Sequence, residues 1–247
     1  MQFHSANGRR IAFVQAPGSG PGIVFLGGFR SDMTGTKAQA LEAWARAHGR
    51  AFLRFDYSGH GQSSGAFTDG NIGAWANDAM AVIRDLTEGP QVLVGSSMGG
   101  WIALLVAKRM PAKVAGLVTI AAAPDFTEDS LWAGFDAATR DRLMTHGRVE
   151  IPSDYDDGPY VITRELIEDG REHLILRSPL PLAMPVRMLQ GTADTAVDVA
   201  VALRLFGHVE GADIRLTMFK GADHRFSTPA CLTLMEQAVE DVLSCAG

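Results

Sequence analysis

The chain has 247 residues, 47% of them hydrophobic and 20% charged, with a formal net charge of −6. That length suits one α/β domain with room for an insertion, and a chain of this size builds a large core without disulfide or metal staples. The negative balance excludes a general attraction to nucleic acid or anionic membrane. The two cysteines, Cys231 and Cys245, exclude a zinc ribbon or a Cys-x-x-Cys redox centre.

Apolar runs and helical periodicities then alternate from the N-terminus. Phe3 and residues 11–14 read as two strands around the Asn7-Gly8 turn, a hairpin signal. Residues 23–26 are a short buried strand ending on Gly27-Gly28. Leu41, Trp44 and Ala45 share a helical face that Gly49 closes, and 51–55 is the next strand. Residues 72–86 are helical, with Ile72, Trp75, Ala79, Ile83 and Leu86 along one side. A strand at 92–94, a helix over 101–110 stopped by Pro111, and a strand at 114–120 follow. After a gap come a strand at 186–190, a helix at about 197–209, a strand at 214–219 and a last helix at 231–243. Both cysteines fall in the region of that helix, where fourteen residues span roughly 21 Å, far beyond the roughly 7 Å reach of a disulfide. The first ten residues carry no signal peptide, and the strongly apolar run at 101–107 is far too short for a membrane span. A reduced cytoplasmic protein is the expectation.

This alternation implies the α/β class: a mostly parallel central sheet with helices on both faces. Ligands bind beyond the carboxyl ends of the strands in such sheets. Residues 125–181 break the rhythm, with helical stretches around 130–144 and 163–173 and a turn-rich piece at 152–159 between them. The segment holds 13 acidic and 6 basic residues, a net of −7. It reads as an inserted cap, leaving 1–124 and 182–247 as the core.

Gly95-Ser96-Ser97-Met98-Gly99-Gly100 contains Gly-x-Ser-x-Gly between a strand and a helix. A nucleophile elbow needs that context, because the sharp turn lifts the serine oxygen above the sheet. The bland alternative is a Gly/Ser helix cap or phosphate loop. The fold that uses this elbow orders its triad Ser, acid, His. His224, in Gly221-Ala222-Asp223-His224 just after the last strand, is the best-placed base; His4, His48, His60, His146, His173 and His208 compete from poorer positions. Asp194, directly beyond a strand, is the candidate orienting acid. Asp198, Asp125 and Asp223 are its rivals, Asp198 being better suited to the first turn of the next helix. An oxyanion hole needs two backbone N–H donors. Met98 follows the nucleophile, and Phe29, after Gly27-Gly28, leaves an early strand end.

Together these residues resemble the α/β-hydrolase superfamily, and residues 56–61 are similar to its Asp-x-x-Gly-x-Gly turn. Gly27-Gly28-Phe29-Arg30-Ser31-Asp32-Met33 and Gly95-Ser96-Ser97-Met98-Gly99-Gly100-Trp101 look more narrowly like its palmitoyl-protein thioesterase and acyl-glucuronide esterase subfamily, mitochondrial in animals. The resemblance implies hydrolysis of acyl thioesters or esters through an acyl-serine, with Ser97, Asp194 and His224 as triad. It would move the compartment to mitochondria for a processed eukaryotic form. One departure is Gly27-Gly28, where many members carry His-Gly; the donor there is backbone, so the hole survives.

The chemistry calls for no metal or organic cofactor, and the partner expected is a small-molecule or acyl-protein substrate. Phe126, Leu131, Trp132, Phe135, Tyr155 and Tyr160 are candidates for an acyl pocket, against the alternative that they form the cap's own core. The cap's −7 is expected to disfavour polyanionic leaving groups such as coenzyme A. Two rivals stand beside the esterase reading: a general carboxylesterase, peptidase or C–C hydrolase on the same fold, and a non-catalytic binding homologue.

Overall fold

Asn7 and Gly8 both take positive φ, 52° and 74°. That is the backbone of a two-residue hairpin turn, and it joins strand β1 (Gln2–Ala6) to β2 (Arg9–Ala16) with Ala6 opposite Arg9. The structure is a computed structural model that describes residues 1–152 and 158–245. From there the chain runs through β3 (Ser19–Leu26), α1 (Thr36–Ala47), β4 (Arg50–Phe55), α2 (Ile72–Leu86), β5 (Gln91–Ser96), α3 (Met98–Arg109) and β6 (Val114–Ile120). A π-helical stretch (Thr127–Trp132), α4 (Ala137–His146), β7 (Arg148–Ile151), β8 (Tyr160–Thr163), α5 (Arg164–Glu172) and β9 (Leu180–Pro181) follow. The last elements are β10 (Val186–Gly191), α6 (Val199–His208), β11 (Val209–Glu210), β12 (Ile214–Phe219) and α7 (Pro229–Cys245).

Eight strands form one sheet in the order β1-β2-β4-β3-β5-β6-β10-β12. Only β2 runs against its neighbours. Helices α2 and α3 bury Trp75, Ile83, Trp101 and Leu105 on one face. On the other, α1 and α7 bury Leu41, Met235, Val239 and Val242. Every residue of β5 is buried, as expected for a strand covered on both sides. In register, Leu26 stands beside Gly95, Ser96 beside Ile120, Ile120 beside Leu189, and Gly191 beside Phe219. The carboxyl ends of five parallel strands therefore lie level, and five loops leave from one edge of the sheet.

Between β6 and β10 none of the described residues adds a strand to this sheet. The helix read over 130–144 is two helices: the π-helical stretch ends near Gly134, and Asp136 starts α4 afresh by accepting from the N–H of Thr139 at 2.7 Å. Such a side-chain cap satisfies an otherwise orphaned donor. The segment also contains an antiparallel hairpin, β7 with β8, that the periodicity reading passed over. Its signal is the alternation of Val149 and Ile151 with charged neighbours. Cys231 and Cys245 are free thiols, both in α7. Among the described residues no helix is long and apolar enough to cross a membrane.

Candidate active site

Ser97 sits between β5 and α3 with φ 56° and ψ −120°. A side-chain-bearing residue holds such a conformation only when its surroundings impose it, at a cost of about 1–3 kcal/mol. Here the Ser97 N–H donates to the Ile120 carbonyl at 2.9 Å, and its own carbonyl accepts from Gly100 (2.9 Å) and Ala123 (3.1 Å). The flanking glycines are demanded by space. A Cβ on Gly95 would lie 2.3 Å from the Gly99 carbonyl oxygen, and one on Gly99 only 2.1 Å from that of Leu26. The elbow thus packs backbone to backbone against the end of β3.

His224 reaches this serine from the loop after β12: its Nε2 lies 3.1 Å from Ser97 Oγ and its Nδ1 2.9 Å from Asp194 Oδ2. Asp194 is fixed in turn. Its Oδ1 accepts from the N–H groups of Ala196 (2.9 Å) and Val197 (2.8 Å), and Gln190 Nε2 donates to Oδ2 at 3.2 Å. Burial alone would raise the Asp194 pKa, but the hydrogen bond from His224, the two backbone donors and the imidazole's charge outweigh it, so the carboxyl sits below its ordinary value. An ionised acceptor at Nδ1 selects the tautomer that leaves Nε2 free to accept a proton. The loops that carry Asp194 and His224 are tied directly, since Gly221 N–H donates to Thr192 Oγ1 and Ala193 N–H to the Ala222 carbonyl, both at 2.9 Å.

The rival carboxylates have other work. Asp198 caps α6 through the Ala200 N–H, and Asp223 accepts from Phe226 N–H. Asp125 is fully buried, accepting from Ile175 and Leu176 N–H and from Arg177, which tethers the end of β6 to the far end of the 125–181 segment. Among the rival bases, His60 is buried against Tyr57, Phe67 and Trp75, and burial lowers its pKa to about 4. His4 pairs with Asp85, and His208 faces the carbonyls of Ile175 and Ser178.

The loop after β3 lies against Ser97: a Cβ on Gly28 would be 3.4 Å from that of Ser97. Ser31 folds the loop back by donating both its N–H and its hydroxyl to the Gly28 carbonyl. Asp56 braces it from below, its carboxylate accepting from Met33 N–H (2.6 Å) and Gln62 N–H (2.8 Å). The motif at Asp56–Gly61 marks a turn but not this brace, which joins residues 23 positions apart. Gln190 lies only four residues before Asp194, but an inward-facing amide on a buried strand carries no pattern of its own.

A cavity of about 850 Å³ opens over Ser97, Met98, Phe29 and His224. That lies within the ~300–1,000 Å³ usual for ligand clefts. From the 125–181 segment Phe126, Leu131, Tyr160, Ile162 and Leu176 line it. Phe29 meets Phe126 and Tyr160 edge-on, with ring centroids 5.6 and 5.7 Å apart. Two expected pocket residues are corrected. Trp132 is not part of the lining; its ring lies under the guanidinium groups of Arg140 and Arg171. Phe135 is also absent from the lining and packs against the hydrophobic core. An aromatic residue announces burial but not which wall it joins. Tyr155 lies outside the described residues. The charge expectation rests on the segment's acids facing the cavity, and of those described Asp129 lines it. The described lining holds Arg30, Lys37, Arg204 and Arg225 against Asp32, Asp129 and Asp198, and Asp129 is itself paired with Arg177 and Arg204. The net −7 of the segment is therefore not the charge of the described cavity wall. Among the described residues no cluster of His, Cys, Asp or Glu is arranged to hold a metal ion.

Residues 23–165 match a family model described as Serine aminopeptidase, S33, which spans more than half of the chain. The chain belongs to the α/β-hydrolase family. It is 36% identical over 237 residues to the mitochondrial palmitoyl-protein thioesterase ABHD10 of Bos taurus, covering 94% of this chain and 76% of that protein. Among solved structures it resembles a putative hydrolase from Agrobacterium vitis S4, at 38% identity, TM-score 0.93 and 98% coverage of both chains. It also resembles mouse alpha/beta hydrolase domain-containing protein 10, at 33% identity, TM-score 0.91 and the same coverage. As an α/β-hydrolase with these relatives, the chain is a serine hydrolase.

Proposed function

We propose that this hydrolase cleaves acyl thioesters or carboxylic esters through an acyl-serine on Ser97, as a palmitoyl-protein thioesterase-like enzyme. The observation that carries the reading is the hydrogen-bonded order of hydroxyl, imidazole and carboxylate at 3.1 and 2.9 Å on the floor of a largely apolar cavity. Ser97 Oγ attacks the acyl carbonyl while His224 Nε2 takes its proton, and Asp194 stabilises the imidazolium. The Phe29 and Met98 N–H groups receive the developing oxyanion. Collapse of the tetrahedral adduct expels the alcohol or thiol, which takes the proton from His224 Nε2 as it leaves and returns the imidazole to its neutral form. Water then attacks the acyl-enzyme with His224 as base, and the second collapse returns the proton to Ser97.

The acyl chain lies against Phe126, Leu131, Tyr160, Ile162 and Leu176, so residues 125–181 act as a cap on a core of 1–124 and 182–247. The name of the bovine relative favours a thioester; the triad alone serves oxygen esters and amides equally. A panel of acyl thioesters, nitrophenyl esters and aminoacyl amides, with Ser97→Ala as control, tests the reading. Turnover of long-chain acyl thioesters abolished by Ser97→Ala supports it. Preference for amides would make the chain a peptidase, and an intact protein that turns over nothing and resists fluorophosphonates would make it a binding homologue.

A further inference from the structure

The loop at 220–228 carries the base, and it is held from three sides. On its first limb Gly221 and Ala222 bond to the acid loop at Thr192 and Ala193. On its last limb Phe226, at φ 48°, is fully buried in the core. Between them the carbonyl of Arg225, the residue directly after His224, accepts from the ammonium of Lys37, 188 positions away on the first turn of α1. Lys37 lines the same cavity as Ser97 and His224. A charged donor on a backbone carbonyl is about twice as strong as a neutral one, and this one fixes the peptide next to the imidazole.

That tether acquires a role from the order of the reaction. In the free enzyme His224 is held by two side-chain bonds, to Ser97 and to Asp194. Once Ser97 is acylated its Oγ has no proton to give, and the first of those bonds is lost. The imidazole must then keep its place for the incoming water without that bond, so Asp194 and the anchors of its own loop carry more of the positioning. We propose that Lys37 is a positioning residue for deacylation: its bond to the Arg225 carbonyl holds the base-bearing loop while the acyl group occupies Ser97. The proposal rests on Ser97 and His224 being nucleophile and base.

The electrostatics agree with the geometry. Burial lowers the Lys37 pKa to about 8, against the raising influence of Asp223 on the base loop and Cys231 on α7, with Arg225 lowering it further. Asp32, Asp129, Tyr160, Asp198, Arg30, Arg204 and His224 are the other charged or titratable groups on the described cavity wall, Asp129 being paired with Arg177 and Arg204. The ammonium is therefore intact at neutral pH and becomes an amine as pH rises through about 8, weakening the tether.

The test separates acylation from deacylation. Wild type, Lys37→Met and Lys37→Arg are compared by the rate of fluorophosphonate labelling, by the pre-steady-state burst with a nitrophenyl ester, and by the deacylation rate from pH 7 to 10. Labelling and burst are expected to stay within about threefold in all three proteins. Deacylation is expected to fall about fivefold or more in Lys37→Met at pH 7, the loss of one charge-assisted hydrogen bond. It is expected to decline above pH 8 in wild type, and to be restored without that decline in Lys37→Arg, whose cation does not titrate. Wild-type deacylation in Lys37→Met, or the same alkaline decline in Lys37→Arg, overturns the proposal. Should Lys37→Met fail to fold, the Lys37→Arg profile decides alone. A wild-type protein that never labels fails the nucleophile reading and the proposal with it, whereas labelling with unaltered deacylation fails the proposal only.

Discussion

Gly99→Ala puts the elbow and the oxyanion loop to the test in one substitution. The new Cβ would stand 2.1 Å from the Leu26 carbonyl oxygen and 2.5 Å from that of Gly27. Ordinary carbon contacts need about 3.5–4.0 Å. Both obstacles are backbone, so no rotamer relieves them, and the end of β3 or the start of α3 must retreat by more than about 1 Å. Overpacking of this kind costs about 1–3 kcal/mol of stability. The functional cost is larger, because β3 leads straight into the loop with Phe29. A displacement of that size at a reacting centre costs about 10²-fold, and loss of one oxyanion donor about 10²–10³-fold. Gly27→Ala is the matched control: its Cβ would meet a side-chain atom, the Ser31 hydroxyl at 3.2 Å, which needs to give by only a few tenths of an ångström while the Ser31 N–H still bonds the Gly28 carbonyl. The assay is kcat on a nitrophenyl ester beside a urea denaturation curve for each variant. The expected pattern is a loss of at least 10²-fold in Gly99→Ala and less than tenfold in Gly27→Ala. Wild-type kcat in Gly99→Ala, or equal losses in the two, would refute the coupling.

Asp194→Asn is expected to keep the fold and lower kcat by about 10³–10⁴-fold, because an amide at this place does not enforce the productive imidazole tautomer; a loss below tenfold on the same ester would count against the acid assignment. The lowered pKa of Asp194 carries a sign as well. Its stabilisation is complete above the ordinary aspartate value and disappears as pH falls through the lowered one, so the stability gap between wild type and Asp194→Ala should close in strong acid, as read by urea unfolding across pH. His60 behaves in the same direction, with its folded pKa of about 4 below the ordinary histidine value. Stability is expected to fall by about 3 kcal/mol between pH 6.5 and 4 on this account, and His60→Asn should flatten that slope; parallel curves would refute it. Across a series of acyl thioesters, each buried methylene is worth about 0.8 kcal/mol, or roughly fourfold in kcat/KM, and Leu131→Asp should level the series.

Much of this was readable in the sequence, for reasons that differ by element. The bounds of α2, β6 and β12 match the apolar patterning, helped by the turn residues Gly89-Pro90 after α2 and Gly221 after β12. The helix after the elbow was read as starting at 101, three residues late, because Gly99-Gly100 resembles a turn; here the pair is helical and its smallness serves packing against β3 and Ala122. Ser97, Asp194 and His224 were legible because each directly leaves a strand end, and the sheet brings those ends level. Asp125 also leaves a strand end, and only its buried partners at 175–177 reveal that it ties down the segment above the site. What the sequence concealed were contacts between segments distant along the chain, such as Asp56 to Met33 and Lys37 to Arg225, and the wall that each aromatic side chain joins.

The most direct measurement for the account as a whole is the mass of the protein quenched in acid within milliseconds of mixing with a long-chain acyl thioester, followed by peptide mapping. The account predicts a transient gain of one acyl group on Ser97, absent in Ser97→Ala and long-lived in His224→Ala once the acyl group is delivered by an activated ester. Full thioester turnover with no acylated serine, undiminished in Ser97→Ala, would contradict it.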